Sequence, residues 1–143
     1  MKNKIGAFIM VMALLIGGAM GKSLVKHFFS ARNESNLTRE LEQAAKEINQ
    51  KCPRQIDEET RLDKAVAGPG KKFSYFYTLS RFNAADIDKS VFDKEVAPDI
   101  KKNALAGSGI QTMLKAGITV EYHYSGLDGK KITMVKLLPS ELK

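Results

Sequence analysis

The stretch ITVEYHYS, residues 118–125, puts Ile118, Val120, Tyr122 and Tyr124 on one side and Thr119, Glu121 and His123 on the other. An alternation of period two, rich in β-branched and aromatic residues, predicts a strand with one face buried. Asp128-Gly129 follows as a hairpin turn signal, and residues 131–138 supply a returning strand. KFSYFYTLSRF, residues 72–82, repeats the pattern with Phe73, Tyr75, Tyr77 and Leu79 on one face. Gly68-Pro69-Gly70 precedes it as a turn, and residues 54–66, with Ile56, Thr60, Leu62 and Val66, read as the partner strand. Two hairpins are therefore expected.

Helices are expected around them. Leu37, Leu41, Ala44, Ala45 and Ile48 recur at helical spacing, with Ser35 or Asn36 to cap the start and Cys52-Pro53 beyond the end. Residues 86–106 carry Ile87, Val91, Phe92 and Val96 on one side, with Pro98 expected to break them into two pieces. Ser108 and Gln111 fit a capping box, Ile110, Met113 and Leu114 an apolar stripe, and Gly117 a C′ glycine. The order helix, hairpin, helices, hairpin predicts an α+β domain over residues 37–143. Its sheet is expected to be four-stranded and mainly antiparallel, with helices on one face.

The chain has 143 residues, room for one such domain. Its single cysteine, Cys52, excludes an intramolecular disulfide, and with two histidines it makes no usual zinc site. The net charge of +7 invites a nucleic-acid partner, but five positive charges and no acid lie within residues 1–32. The remaining chain carries only +2 and lacks a basic stripe interleaved with aromatics, so no nucleic-acid partner is expected.

Residues 5–21, IGAFIMVMALLIGGAMG, are uncharged and preceded by Lys2 and Lys4. As a helix this run is about 25 Å long against a ~30 Å hydrocarbon core. Leu24, Val25, Phe28 and Phe29 extend it, while Lys22 and Lys26 can snorkel to headgroups. Residues 1–30 thus read as a transmembrane anchor with an interfacial extension, and 31–36 as a linker. The alternative is a cleaved signal peptide ending at Ala19-Met20-Gly21. A short N-terminal tail bearing two lysines favours a cytoplasmic N-terminus and a periplasmic domain on a single-pass inner-membrane protein. Gly17 and Gly21 give a GxxxG spacing through which two such helices can associate as a homodimer. GGAMGKS, residues 17–23, is not a phosphate loop, because Ile16 stands where the motif needs glycine.

No catalytic residue, metal ligand set or cofactor site is assigned. His123 falls on the expected solvent side of its strand, and Cys52 follows a helix C-terminus, which does not activate a thiol. Asp57, Glu58, Glu59 and Asp63 alternate along the expected strand as a charged edge. Residues 86–97 lack the glycine and glutamate of a calcium loop. The tyrosine face, Tyr75, Tyr77, Tyr122 and Tyr124, leaves two readings open. It is core under helices, or it is a platform for a peptide or glycan.

Cys52-Pro53, the run from Ile56 to Asp63 (ID-x-ETRLD), Gly68 to Gly70, Tyr75 to Leu79 (YxYTL) and Gly117 to Tyr124 (GxTVxYxY) form a set. The set resembles a family of small, functionally uncharacterised bacterial envelope proteins and covers about two thirds of the chain. The family pattern has a further cysteine near Asn103-Ala104 that is missing here, so no disulfide is carried over. The resemblance implies an envelope location and brings no catalytic residues. The expected function is a non-enzymatic, membrane-anchored binding or assembly module whose partner is another envelope protein. The alternatives are an inhibitor or immunity-type protein that blocks an envelope enzyme, and a small envelope enzyme.

Overall fold

The computed structural model describes residues 34–142. The expected anchor, its alternative as a signal peptide, and the Gly17/Gly21 association motif all lie outside those residues. Among the described residues no helix is long and apolar enough to cross a membrane.

The domain opens with helix α1, Glu34–Asn49, which buries Leu37, Leu41, Ala44, Ala45 and Ile48, the stripe its spacing foretold. Ser35 and Asn36 do not cap it, because the helix already runs from Glu34. Strands β1 (Arg54–Gln55), β2 (Thr60–Gly68) and β3 (Lys72–Leu79) follow. Helical residues then run through α2 (Lys89–Val91), a π-helical turn (Phe92–Val96), α3 (Ala97–Ala106) and α4 (Ser108–Lys115). Strands β4 (Thr119–Gly126) and β5 (Lys131–Leu137) follow, and a 3-10 turn, Pro139–Glu141, comes after them.

The architecture is α+β, as expected, but the sheet has five strands in the order β1-β2-β3-β4-β5. The fifth comes from residues 54–66, which do not form one strand. The Asp57 Oδ1 carboxylate accepts the Glu59 N–H at 2.8 Å and Ile56 N–H donates to Thr60 O at 2.8 Å, so the chain reverses there. Arg54–Gln55 therefore folds back on Arg61–Leu62. Asp57, Glu58 and Glu59 accordingly sit at a turn and do not alternate along an edge, while Asp63 lies within β2. The sheet is also mixed: three pairings are antiparallel, whereas β3 and β4 run parallel at its centre. A parallel neighbour requires a crossover, and the helices between Leu79 and Thr119 provide it.

Pro98 does not break its helix. The turn before it widens to the π register, with Ala97 N–H bonded to Phe92 O, and Pro98 sits at the start of α3 where its missing donor costs nothing. Phe92, Val96, Ile100 and Ala104 then line one buried stripe. Gly107, not Ser108, caps α4, and Gln111 Nε2 reaches back to Leu105 O at 2.8 Å. Gly117 ends α4 with φ 80°, Ile118 N–H bonding Met113 O and Gly117 N–H bonding Leu114 O, as its C′ role requires.

The helical stripes and one sheet face make a single core. Tyr75 stacks on Tyr122 and Tyr77 on Tyr124, each at 5.4 Å between ring centroids, because the parallel register sets them side by side. Phe92 from the π turn meets Tyr124 at the same separation. Such pairs contribute about 0.5–1.5 kcal/mol each beyond their buried area.

Candidate interaction face

All four candidate tyrosines are covered: Tyr75 and Tyr77 are 3% exposed, Tyr122 1% and Tyr124 0%. They form the core and leave no open platform, because α1, α3 and α4 pack on their side of the sheet. The Tyr122 and Tyr124 hydroxyls have no hydrogen-bond partner among the described residues. Burial pushes all four phenols up from the usual tyrosine range.

The opposite face of the sheet carries the chemistry. Register lines up two rows across four strands. One row is Lys64, Phe76, His123 and Met134; the next is Val66, Ser74, Glu121 and Lys136. In the first row the Phe76 and His123 rings stack at 4.5 Å with an 11° interplanar angle, and Lys64 Nζ lies 5.0 Å from the Phe76 centroid. Both rings are half-buried, so the stack is flush with the sheet and not a protruding knob.

Glu121 organises the second row. Its side chain is only 6% exposed, yet four groups surround it. Oε2 faces His123 Nε2 at 3.0 Å and accepts from Ser74 Oγ at 3.3 Å. Oε1 faces Lys72 Nζ at 3.5 Å and Lys136 Nζ at 3.6 Å. Burial pushes its carboxyl up. The His123 hydrogen bond and the charges of Lys72, His123 and Lys136 outweigh burial, and the net pKa lies below the usual carboxylate range. Asp63 is equally engaged: it accepts from Arg61 Nε at 2.6 Å and from Thr78 Oγ1 at 2.5 Å. The anions on this face are thus consumed internally, while its lysines keep donors to spare.

Acyl-transfer geometry does not arise from these residues. Ser74 donates to Glu121 and not to an imidazole, and the His123 Nε2 is committed to the same carboxylate. Burial and then Asp63 raise the Cys52 thiol, which disfavours the thiolate. Among the described residues no three His, Cys, Asp or Glu side chains are grouped to hold a metal ion.

A second surface lies at the outer edge of β2, where β1 pairs only with Arg61 and Leu62. From Lys64 to Gly68 that edge has no neighbouring strand among the described residues, and a groove of about 600 Å3 runs between it and α1. Asn49 plugs it: its Nδ2 donates to Ala65 O at 2.9 Å and its Oδ1 accepts Ala65 N–H at 2.8 Å. The sequence placed Glu121 and His123 on the solvent side, but it gave no sign of Phe76 as their partner. The relation depends on β3 and β4 lying side by side, which no local pattern reveals.

Three solved structures share the fold. A candidate secreted protein of Pseudomonas aeruginosa superposes with a TM-score of 0.67 at 16% identity, covering 80% of this chain and 99% of its own. A type 2 secretion system pilotin of Vibrio vulnificus gives 0.61 at 10% identity, covering 77% and 94%. A type II secretion system pilotin of Vibrio cholerae gives 0.54 at 13% identity, covering 75% and 93%. No curated protein sequence matches significantly. The profile of the family described as Domain of unknown function (DUF8479) matches residues 36–134, more than two thirds of the sequence, and the chain belongs to that family.

Proposed function

We propose that this protein is a non-enzymatic module of the bacterial envelope, held by its N-terminal segment in the inner membrane, whose periplasmic domain binds or assembles another envelope protein. The carrying observation is the sheet face that no helix of the described residues covers. A half-buried aromatic pair ringed by lysines is the anatomy of a recognition patch, an apolar centre with a polar rim. The lack of a nucleophile facing a base at His123, Ser74 or Cys52 supports a binding role over catalysis. Structures of the same shape include a candidate secreted protein and two secretion-system pilotins, which favours an envelope assembly role. The motif set quoted above and the apolar run over residues 5–21 point to the same compartment.

The test is site-specific photocrosslinking in cells, with a benzophenone amino acid at Met134 on the face or at Lys115 at the end of α4. One discrete adduct in the membrane fraction from position 134, absent from position 115, is expected. Equal adducts from both positions, or none from 134, would contradict the reading.

A further inference from the structure

Resting on that binding role, we infer that the helix-free face takes an acidic, extended segment of a protein partner, its carboxylates on Lys64, Lys72 and Lys136 and an apolar side chain over the Phe76–His123 stack. Charge accounts for the sign of the ligand. Arg61 and Asp63 neutralise each other, and Glu121 is one carboxylate facing two ammonium groups. Lys64 has no carboxylate partner among the described residues and hovers over the Phe76 ring. The patch therefore carries a surplus of two positive charges, even with His123 neutral. The contacts of Lys72 and Lys136 to Glu121 are long, at 3.5 and 3.6 Å, and an ammonium has three donors, so each keeps capacity for an incoming carboxylate.

Spacing accounts for the shape of the ligand. Lys64 on β2 and Lys136 on β5 are three strands apart and one row offset along the strands, roughly 16 Å at ~4.8 Å per strand and ~3.3 Å per residue. Four residue steps of an extended chain reach ~13 Å at ~3.3 Å each, the flexible Lys and Glu side chains span the rest, and alternate side chains face the sheet. Carboxylates at the two ends then straddle one apolar side chain above Phe76 and His123. A membrane surface is the weaker fit, because the apolar centre is flush between its lysines and offers nothing to insert.

The experiment uses the full chain in a neutral detergent. Its probe is a fluorescent synthetic heptapeptide with Glu at positions 2 and 6, Phe at position 4 and Ser elsewhere, so that the two carboxylates and the ring face the sheet together, with a control peptide carrying Gln for every Glu. Anisotropy is expected to show the Glu peptide binding about tenfold tighter than the Gln peptide, the sum of two or three rim charge pairs. The preference should weaken with salt. Lys64→Glu combined with Lys136→Glu should abolish it while circular dichroism stays unchanged, and the doubly reversed protein should prefer a Lys version of the peptide. Equal binding of the Glu and Gln peptides overturns the inference, as does Glu-peptide binding indifferent to the reversals. Lysine-dependent flotation with phosphatidylglycerol vesicles in the absence of peptide binding also overturns it, in favour of a lipid surface. If position 134 crosslinks to a partner and the Glu peptide does not bind, the acidic-segment inference falls and the binding role stands. If neither occurs, both fall.

Discussion

Glu121 stands on a sheet face that no helix of the described residues covers, yet it is nearly as buried as the core, because His123, Ser74, Lys72 and Lys136 close over it. Its carboxyl is held below the usual range, so the folded protein binds fewer protons there than the unfolded chain does. The resulting stability is present above the unfolded value of about 4.3 and is lost as pH falls through the lower folded value. Urea midpoints measured across acidic pH should therefore fall less steeply for Glu121→Gln than for the parent. Glu121→Ala at neutral pH should cost about 1–3 kcal/mol, the range for removing a charged hydrogen-bond partner. The tyrosines make an opposite case. Because the Tyr122 and Tyr124 hydroxyls lack partners, Tyr122→Phe and Tyr124→Phe should be neutral or stabilising by up to about 1–2 kcal/mol. Tyr122→Ala should cost about 3–5 kcal/mol. A loss above 1 kcal/mol for either phenylalanine variant in thermal melts would contradict this account of the core.

Elements show what the sequence disclosed and what it withheld. The period-two stretches at 72–79 and 118–125, the Gly117 stop and the stripe from Leu37 to Ile48 were all legible, since each is written in residues close along the chain. The acidic run at 57–59 was misread as strand, because an Asx turn at Asp57 is a backbone choice that charge alternation conceals. Pro98 was misread as a break, because the π turn ahead of it answers to packing of Phe92 and Val96 against the sheet. The interaction face was half legible: alternation sorted Glu121 and His123 outward, but Phe76 and Lys64 joined them only through the parallel β3–β4 register. The Asn49 plug on β2 was not legible at all, being a contact 16 residues apart. Asn49→Ala should cost about 1–3 kcal/mol by stranding the Ala65 amide and carbonyl, and should raise concentration-dependent self-association in sedimentation through the bared edge. At the far end of β4, a Cβ on Gly126 would meet Ala84 N at 2.2 Å and Asn83 C at 2.7 Å, both backbone. Gly126→Ala should destabilise by about 1–3 kcal/mol or more in the same melts.

At the scale of the whole molecule, one buried ladder of tyrosines supplies stability, and one basic face, which no helix of the described residues covers, is the surface proposed for recognition. The ladder sets the alkaline limit. Burial raises all four phenols, so above the unfolded tyrosine value of about 10 the unfolded chain sheds protons that the folded one keeps, and stability falls as pH rises. Phenolate absorbance should consequently appear together with loss of circular dichroism and not before it. In the function proposed above this face does the binding, and its occupancy in the envelope is the central claim. The most direct measurement places a cysteine at Met134→Cys, or at Lys115→Cys as the reference, in a Cys52→Ser background. A membrane-impermeant maleimide is then applied to spheroplasts and to the purified full chain. Both cysteines should label before lysis, and position 134 should react more slowly relative to position 115 in spheroplasts than in the purified protein, because a partner covers it. Labelling only after lysis, or an unchanged ratio of the two rates, would contradict a periplasmic module that works through this face.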